Sequence, residues 1–274
     1  PGDAGAEKRE PMTQPPVNYS SYLKVPQLIA LQDPLSEPEQ HDETLFIIVH
    51  QTYELWFKQI LHELDKTKVA LSANRLFSAV HTFKRLRSIM RTLVGQVDIL
   101  ETMTPKSFLA FRGLLDRSSG FESMQFREIE CVLGHKRPEV LESLPRDFPG
   151  LDRVRRRIEE PTVVDAFYEM LAQRGVAIPA ELLDRDVSRP NEPNDIVAEG
   201  CHDLFMTTPQ MAVLFELMMD VDEGLQAWRY RHVQLTRRVI GNKAGTGGSD
   251  GAAFLASTMF HQVFPDLWSI AGRM

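Results

Sequence analysis

The sequence predicts an all-α fold, and three observations predict it. Apolar residues recur at spacings of three and four over several long stretches, the period of one helix face. No stretch of useful length alternates apolar and polar residues as a half-buried strand would. Helix-start and helix-stop residues bracket the periodic stretches, among them Thr104-Pro105 and Gly241. With 274 residues, 43% hydrophobic and 25% charged, the chain can bury a full core, so 18–274 is read as a single helical domain.

Residues 1–17 are rich in Pro, Gly and charged side chains, have little to bury, and read as a flexible tail. Asp42 offers an N-cap for a first long helix through Leu45, Ile48, Val49, Trp56, Ile60 and Leu64. A second begins near Asn74 and sets Phe77, Val80, Phe83, Leu86, Met90, Leu93, Val97 and Leu100 on one stripe. Thr104 caps a short helix with Pro105 in its first turn, running through Phe108, Phe111 and Leu115. Ser118-Ser119-Gly120 breaks that helix before the pattern resumes over 124–133, and the break is itself a candidate site. Between 138 and 193 the chain turns proline- and charge-rich, with short helical pieces such as 163–171, and reads as a peripheral subregion. A long, central helix is expected from about Pro209 to Ile240 and ends at Gly241. The glycine-dense stretch 245–251 follows, and a helix over 252–262 is expected to close the fold.

A formal net charge of -7 argues against nucleic acid or an anionic membrane as the main partner. The run Arg153-Val154-Arg155-Arg156-Arg157 reads as a solvated helix face. Cys131 and Cys201 stand far apart in no paired motif, which predicts neither disulfide nor thiolate metal site and fits a reducing, cytoplasmic setting. No apolar stretch reaches membrane-spanning length without charges, and the first residues lack the apolar core of a signal peptide.

Four places carry possible chemistry. Phe46 and His50 are four residues apart, hence on one helix face, where a flat ring beside an imidazole can hold a planar heteroaromatic ligand and meet its N–H; the same pattern also describes ordinary core. His232 lies deep in the last long helix, four residues after Trp228, and suits a single axial ligand to haem iron or a polar helix residue facing solvent. Arg112 follows Phe108 by four, so a guanidinium can clamp a ligand carboxylate beside an aromatic wall, or simply be solvated. The loop 245–251 lacks the preceding strand and following Lys of a nucleotide-phosphate loop; a glycine-hinged lid offering the Thr246 hydroxyl fits better, beside the plainer reading of a surface loop. His62-Glu63 lacks the second histidine of a zinc-protease helix.

The joint order of several motifs adds to this. Tyr19-Ser20-Ser21-Tyr22-Leu23, Pro34-Leu35-Ser36-Glu37-Pro38, residues 45–59 and Leu100-Glu101-Thr102-Met103-Thr104-Pro105 come first. Ser118-Ser119-Gly120-Phe121, Gln125-Phe126-Arg127, Trp228-Arg229-Tyr230-Arg231-His232, residues 241–248 and Phe264-Pro265-Asp266-Leu267 follow. Together they resemble the tryptophan 2,3-dioxygenase family over nearly the whole chain after residue 18.

The resemblance implies a helical haem dioxygenase that opens the indole ring of L-tryptophan with O2 to N-formylkynurenine, in tryptophan catabolism through the kynurenine pathway. It implies ferrous haem b with His232 as axial iron ligand, and His50 on the distal side within reach of the indole N–H. Phe46 and Phe108 would wall the indole, Arg112 would pair with the substrate carboxylate, and Thr246 would close over the amino-acid end. Leu115, Ser119 and Gly120 match positions lining the haem and substrate pocket. Tyr19, Tyr22 and Leu23 match a segment reaching the pocket of a neighbouring subunit in a homotetramer. Two positions vary from relatives: Phe108 stands where some bacterial members have tyrosine, and Asp250 where serine is common. The resemblance leaves open an oxygenase acting on a substituted tryptophan, with one oxygen inserted to give an oxindole, and, from another class, a noncatalytic haem- and tryptophan-binding sensor.

Overall fold

The computed structural model describes residues 16–116, 118–241, 256 and 258–274. Two long helices form the frame's first hairpin: α3 (His41–Ser72) and α4 (Leu76–Leu100), joined by a turn in which Asn74 takes the left-handed conformation at φ 52°, where Asn is tolerated. Before them lie two short helices, α1 (Tyr19–Leu23) and α2 (Val25–Leu28). The helix α11 (Pro209–Ile240) packs along α4 and closes the core. Among the described residues there is no strand.

The α4 stripe buries Ala79, Phe83, Leu86, Met90, Leu93, Val97 and Leu100, an alternation of four and three. Phe77 is 86% exposed, against expectation, because it sits one position past Leu76, which continues that alternation. The start of α3 also differs. Gln40 occupies the cap, and Asp42 falls in the first turn. Glu43 there ties down the preceding loop: its carboxylate accepts from the backbone N–H of Leu35 at 2.7 Å and of Ser36 at 3.0 Å, and from the Ser36 hydroxyl.

Thr104 caps α5 (Pro105–Arg112) as expected, its hydroxyl accepting from Ser107 N at 3.1 Å. A 3-10 turn over Gly113–Leu115 replaces the last turn of that helix. After the Ser118–Gly120 break, Ser119 caps a 3-10 turn over Gly120–Glu122, and Ser123 caps α6 (Met124–Val132).

The stretch 138–193 is not uniformly peripheral. Within it α7 (Leu151–Glu159) buries Leu151, Val154 and Ile158, but α8 (Val163–Gln173) packs on α3 with Val163, Phe167, Tyr168, Met170 and Leu171 deep in the main core. Its short length and proline-rich flanks hid an apolar face as wide as that of the longer helices. The arginine run on α7 is only partly solvated: Arg157 forks onto Asp65 of α3 through Nη1 at 2.7 Å and Nη2 at 2.8 Å. Buried Lys136 donates to the carbonyls of Ile158 at 2.7 Å and Glu160 at 2.6 Å, satisfying orphan acceptors at the end of α7, and to that of Val187 farther along the chain.

The short helix α9 (Ala180–Leu183) leads to α10 (Asp195–Thr207) and α11. Most of the closing helix expected over 252–262 lies outside the described residues, and residues 258–260 form a turn instead. The chain ends with α12 (Pro265–Trp268) and a 3-10 turn over Ile270–Arg273. Two carboxylates hold this end. Asp222 of α11 accepts from Val263 N at 2.8 Å, Phe264 N at 3.1 Å and Trp268 Nε1 at 2.9 Å. Asp266 accepts from the Tyr168 hydroxyl at 2.6 Å and Asn194 N at 2.7 Å.

Candidate active site

The packing of α3, α5, α6 and the second half of α11 leaves a cavity of about 680 Å³ that also reaches Val97 and Leu100 of α4. That is the size of a site for a cofactor or large small molecule. Phe46 and His50 share one α3 face as the spacing predicted, with ring centroids 4.0 Å apart. Phe108 of α5 extends this aromatic wall, its centroid 5.8 Å from that of Phe46, and Phe111 backs it from the core at 5.6 Å from Phe46.

His50 Nδ1 lies 2.7 Å from the carbonyl oxygen of Phe46, one turn earlier. A carbonyl can only accept, so a neutral imidazole here carries its proton on Nδ1 and keeps a lone pair on Nε2. Burial pulls the His50 pKa below its ordinary 6.5 even though the Phe46 hydrogen bond and the Glu54 charge push the other way. The ring therefore enters the cavity wall as a hydrogen-bond acceptor, fit to receive an N–H. Glu54 is held in place by the Ser123 hydroxyl at 2.5 Å and Gln125 Nε2 at 2.8 Å, which fastens the helix after the chain break to α3.

His232 lines the same cavity from α11, stacked on Trp228 at 5.5 Å. Burial, and then the nearby His50, lower its pKa to about 4. Among the described residues no hydrogen bond engages its ring nitrogens. A neutral, unengaged imidazole on a rigid helix is the donor a transition metal takes. Around it, Trp228, Phe126, Phe57 and Tyr53 form an aromatic floor, with Leu235, Val239 and Ile240 beside them.

Arg112, Ser119 and Gly120 also line the cavity. A Cβ on Gly120 would meet no atom within 4 Å, so packing does not demand glycine there. Leu115 packs partly buried against the main core and does not line the cavity. Tyr19, Tyr22 and Leu23 are exposed and line no part of their own chain's cavity. Thr246 and Asp250 lie outside the described residues, as do residues 1–15.

One end of the cavity was not foreseen. Glu130 of α6 receives Arg127 at 2.7 Å, Arg137 at 3.0 Å and Arg229 of α11 at 3.2 Å. All four residues line the cavity; Arg127 stands three residues before Glu130 on α6, whereas Arg137 follows in the next loop and Arg229 comes from the distant α11. The appearance of Arg127 and Arg229 in the motifs Gln125-Phe126-Arg127 and Trp228-Arg229 was the available signal. A separate group, Glu199, His202 and Asp203, has spacing suited to a cation but lies on α10 outside this cavity, with Glu199 engaged by Arg273 at 3.1 Å.

The donor set fits haem: one neutral imidazole able to take iron, apolar and aromatic walls, and buried guanidiniums able to meet carboxylates. No helix among the described residues is long and apolar enough to cross a membrane.

Comparison with known proteins gives the same direction. The family model for tryptophan 2,3-dioxygenase matches residues 4–147 and 202–274, leaving α7, α8 and α9 in the unmatched stretch between. A protein of Herpetosiphon aurantiacus named tryptophan 2,3-dioxygenase is 48% identical over 254 residues, spanning 93% of this chain and 97% of the relative. Proteins of the same name from Anaeromyxobacter dehalogenans and Kineococcus radiotolerans are 42% and 39% identical, covering 94% and 93% of this chain and 96% and 90% of theirs. The chain belongs to the tryptophan 2,3-dioxygenase family.

Proposed function

We propose that this chain is a haem-dependent dioxygenase that cleaves the indole C2–C3 bond of L-tryptophan with O2 to give N-formylkynurenine, the opening step of tryptophan catabolism. The observation that carries the reading is the pair of neutral imidazoles, His50 and His232, in one aromatic-walled cavity. His232 is the residue to hold haem b through its iron. Ferrous haem, when bound, supplies the O2 chemistry that no protein side chain can.

The chain's own residues then bind and orient. His50 accepts the indole N–H through Nε2, which fixes the ring's rotation without requiring a proton to leave. Phe46 and Phe108 hold the indole plane, and Arg112 pairs with the amino-acid carboxylate. Held at both ends, the substrate loses rotational freedom before reaction, and such orientation is worth up to about 7–11 kcal/mol of barrier in favourable cases. Ser119 and Gly120 border the cofactor, and Leu115 supports that wall from the core side. Thr246 is proposed to close over the amino-acid end.

Tyr19 and Tyr22 are 78% and 76% exposed, and Leu23 is exposed beside them, an apolar surface that fits docking at the pocket of a neighbouring copy in a homotetramer. The two free, buried cysteines fit a reducing cytoplasmic setting.

The test is turnover by haem-loaded, anaerobically reduced protein given L-tryptophan and isotopically labelled O2, with the product followed by absorbance and mass. N-formylkynurenine carrying both labelled atoms is expected. A product with one labelled atom, or turnover only with substituted tryptophans, would overturn the assignment in favour of an oxindole-forming oxygenase; haem and tryptophan binding without any turnover would leave a sensor.

A further inference from the structure

The cationic end of the cavity has more positive charge than its visible partner balances. Arg127 is 8% exposed and Arg229 is 5% exposed, and both pair with the same carboxylate, Glu130. Setting Arg137 aside, these two buried guanidiniums share one carboxylate among the described residues. Buried charge is costly unless paired, so a cavity wall of this kind is completed by an anionic group from a ligand.

The donors are partly uncommitted. Among the described residues Arg127 Nε is buried without a hydrogen-bond partner, while Nη1 meets Glu130. The Arg127 guanidinium is stacked between Phe121 at 5.6 Å and Phe126 at 5.1 Å, which fixes its plane beside the cavity. Arg229 donates to the Thr258 carbonyl at 3.0 Å and to Glu130 at 3.2 Å. It precedes His232 by three residues on α11, so the two side chains share a helix face about 4.5 Å apart along the axis.

We infer that Arg127 and Arg229 hold the carboxylates of the haem, so that the cofactor is fixed at its iron by His232 and at its acidic edge by the guanidinium pair. The inference rests on the haem reading above and names residues for its acidic edge. It also separates two carboxylates by place: the cofactor's at α6 and α11, the amino acid's at Arg112 on α5. Glu130 then acts as the internal counter-ion that keeps the pair oriented before the cofactor arrives.

The test compares haem with haem dimethyl ester, whose carboxylates are blocked, by Soret titration of the full chain free of cofactor. Charge-assisted hydrogen bonds of this kind predict that esterification weakens binding to the wild type by about tenfold to a hundredfold. In Arg127→Gln the haem affinity falls by about tenfold while the ester affinity stays put, so the esterification penalty shrinks by the same factor. Arg127→Lys, which keeps the charge, should recover part of the haem affinity. An unchanged esterification penalty in Arg127→Gln, or equal losses for haem and ester, overturns the inference alone. Loss of tryptophan affinity with haem affinity intact would give this carboxylate site to the amino acid and also overturns it. Absence of any Soret band from the wild type overturns the haem reading itself.

Discussion

The His50 wall and the Arg127–Arg229 end of the cavity are built on opposite principles. The His50 wall is uncharged: a neutral imidazole and the rings of Phe46 and Phe108, backed by Phe111, drawn from one turn of α3 and the facing α5. The other end is a buried knot of three guanidiniums on one carboxylate, drawn from α6, α11 and the loop between α6 and α7. An indole offers one N–H and a wide apolar face, which only the first wall matches. A molecule with a flat ring and acidic edge needs the second. The difference teaches that the lining of one cavity is divided by polarity, with His232 carried on the same helix as Arg229.

The sharpest way to break the comparison is to remove the residue common to both halves. His232→Ala should lose stable haem altogether, seen as loss of the Soret band at micromolar protein, with added imidazole restoring part of it. Retention of a wild-type band in that variant would move the axial ligand elsewhere. Next in size is Arg112→Ala, which should raise KM for L-tryptophan by about tenfold to a hundredfold while leaving haem affinity alone. Tryptamine, which lacks the carboxylate, should show no such change; equal losses for both substrates would remove Arg112 from the clamp.

A smaller effect is expected at His50. Losing a single neutral hydrogen bond costs about 0.5–1.5 kcal/mol, so His50→Ala should lower kcat/KM for tryptophan by roughly tenfold or less. The residue is a hydrogen-bond acceptor in this account, so 1-methyltryptophan, with no N–H, should be indifferent to the substitution. A loss of several orders of magnitude would instead make His50 an obligatory base.

The smallest expected effect concerns pH. His135 and His261 lie with ring centroids 3.9 Å apart, flanking the arginine knot. Burial, then His261, then Arg137, Arg229 and Arg127 hold His135 at about 2, against an ordinary 6.5. Between those values the unfolded chain binds the extra proton, so the folded state is fully stable above 6.5 and loses stability as pH falls. The melting midpoint of the wild type should drop from pH 7 to pH 5, and His135→Gln should reduce that drop by about 2–4 °C. Parallel curves for the two proteins would show that His135 is not the group responsible.

The same division explains what was legible in the sequence. The Phe46–His50 pair, the Thr104 cap and the α11 span follow from spacing within one helix, so they could be read from the chain directly. The arginine knot could be read only in part: Arg127 and Glu130 stand three apart on α6, but Arg229 reaches Glu130 only through tertiary packing. The buried role of α8 was concealed for a related reason: eleven residues between prolines look marginal until α3 supplies the surface they pack on. Phe77 failed the other way, an aromatic residue one step off a stripe that only the packed helices define. The closing turns depend on Asp222 and Asp266, whose partners lie far away in the chain.

The central claim is that one cavity holds haem at His232 and tryptophan at His50 and Arg112. It is tested most directly by titrating reduced, haem-loaded protein with L-tryptophan under anaerobic conditions while recording both the Soret spectrum and the heat of binding. The account predicts one saturable spectral change whose affinity equals the calorimetric one and which weakens in Arg112→Ala. Tryptophan binding by calorimetry that leaves the haem spectrum untouched would contradict it.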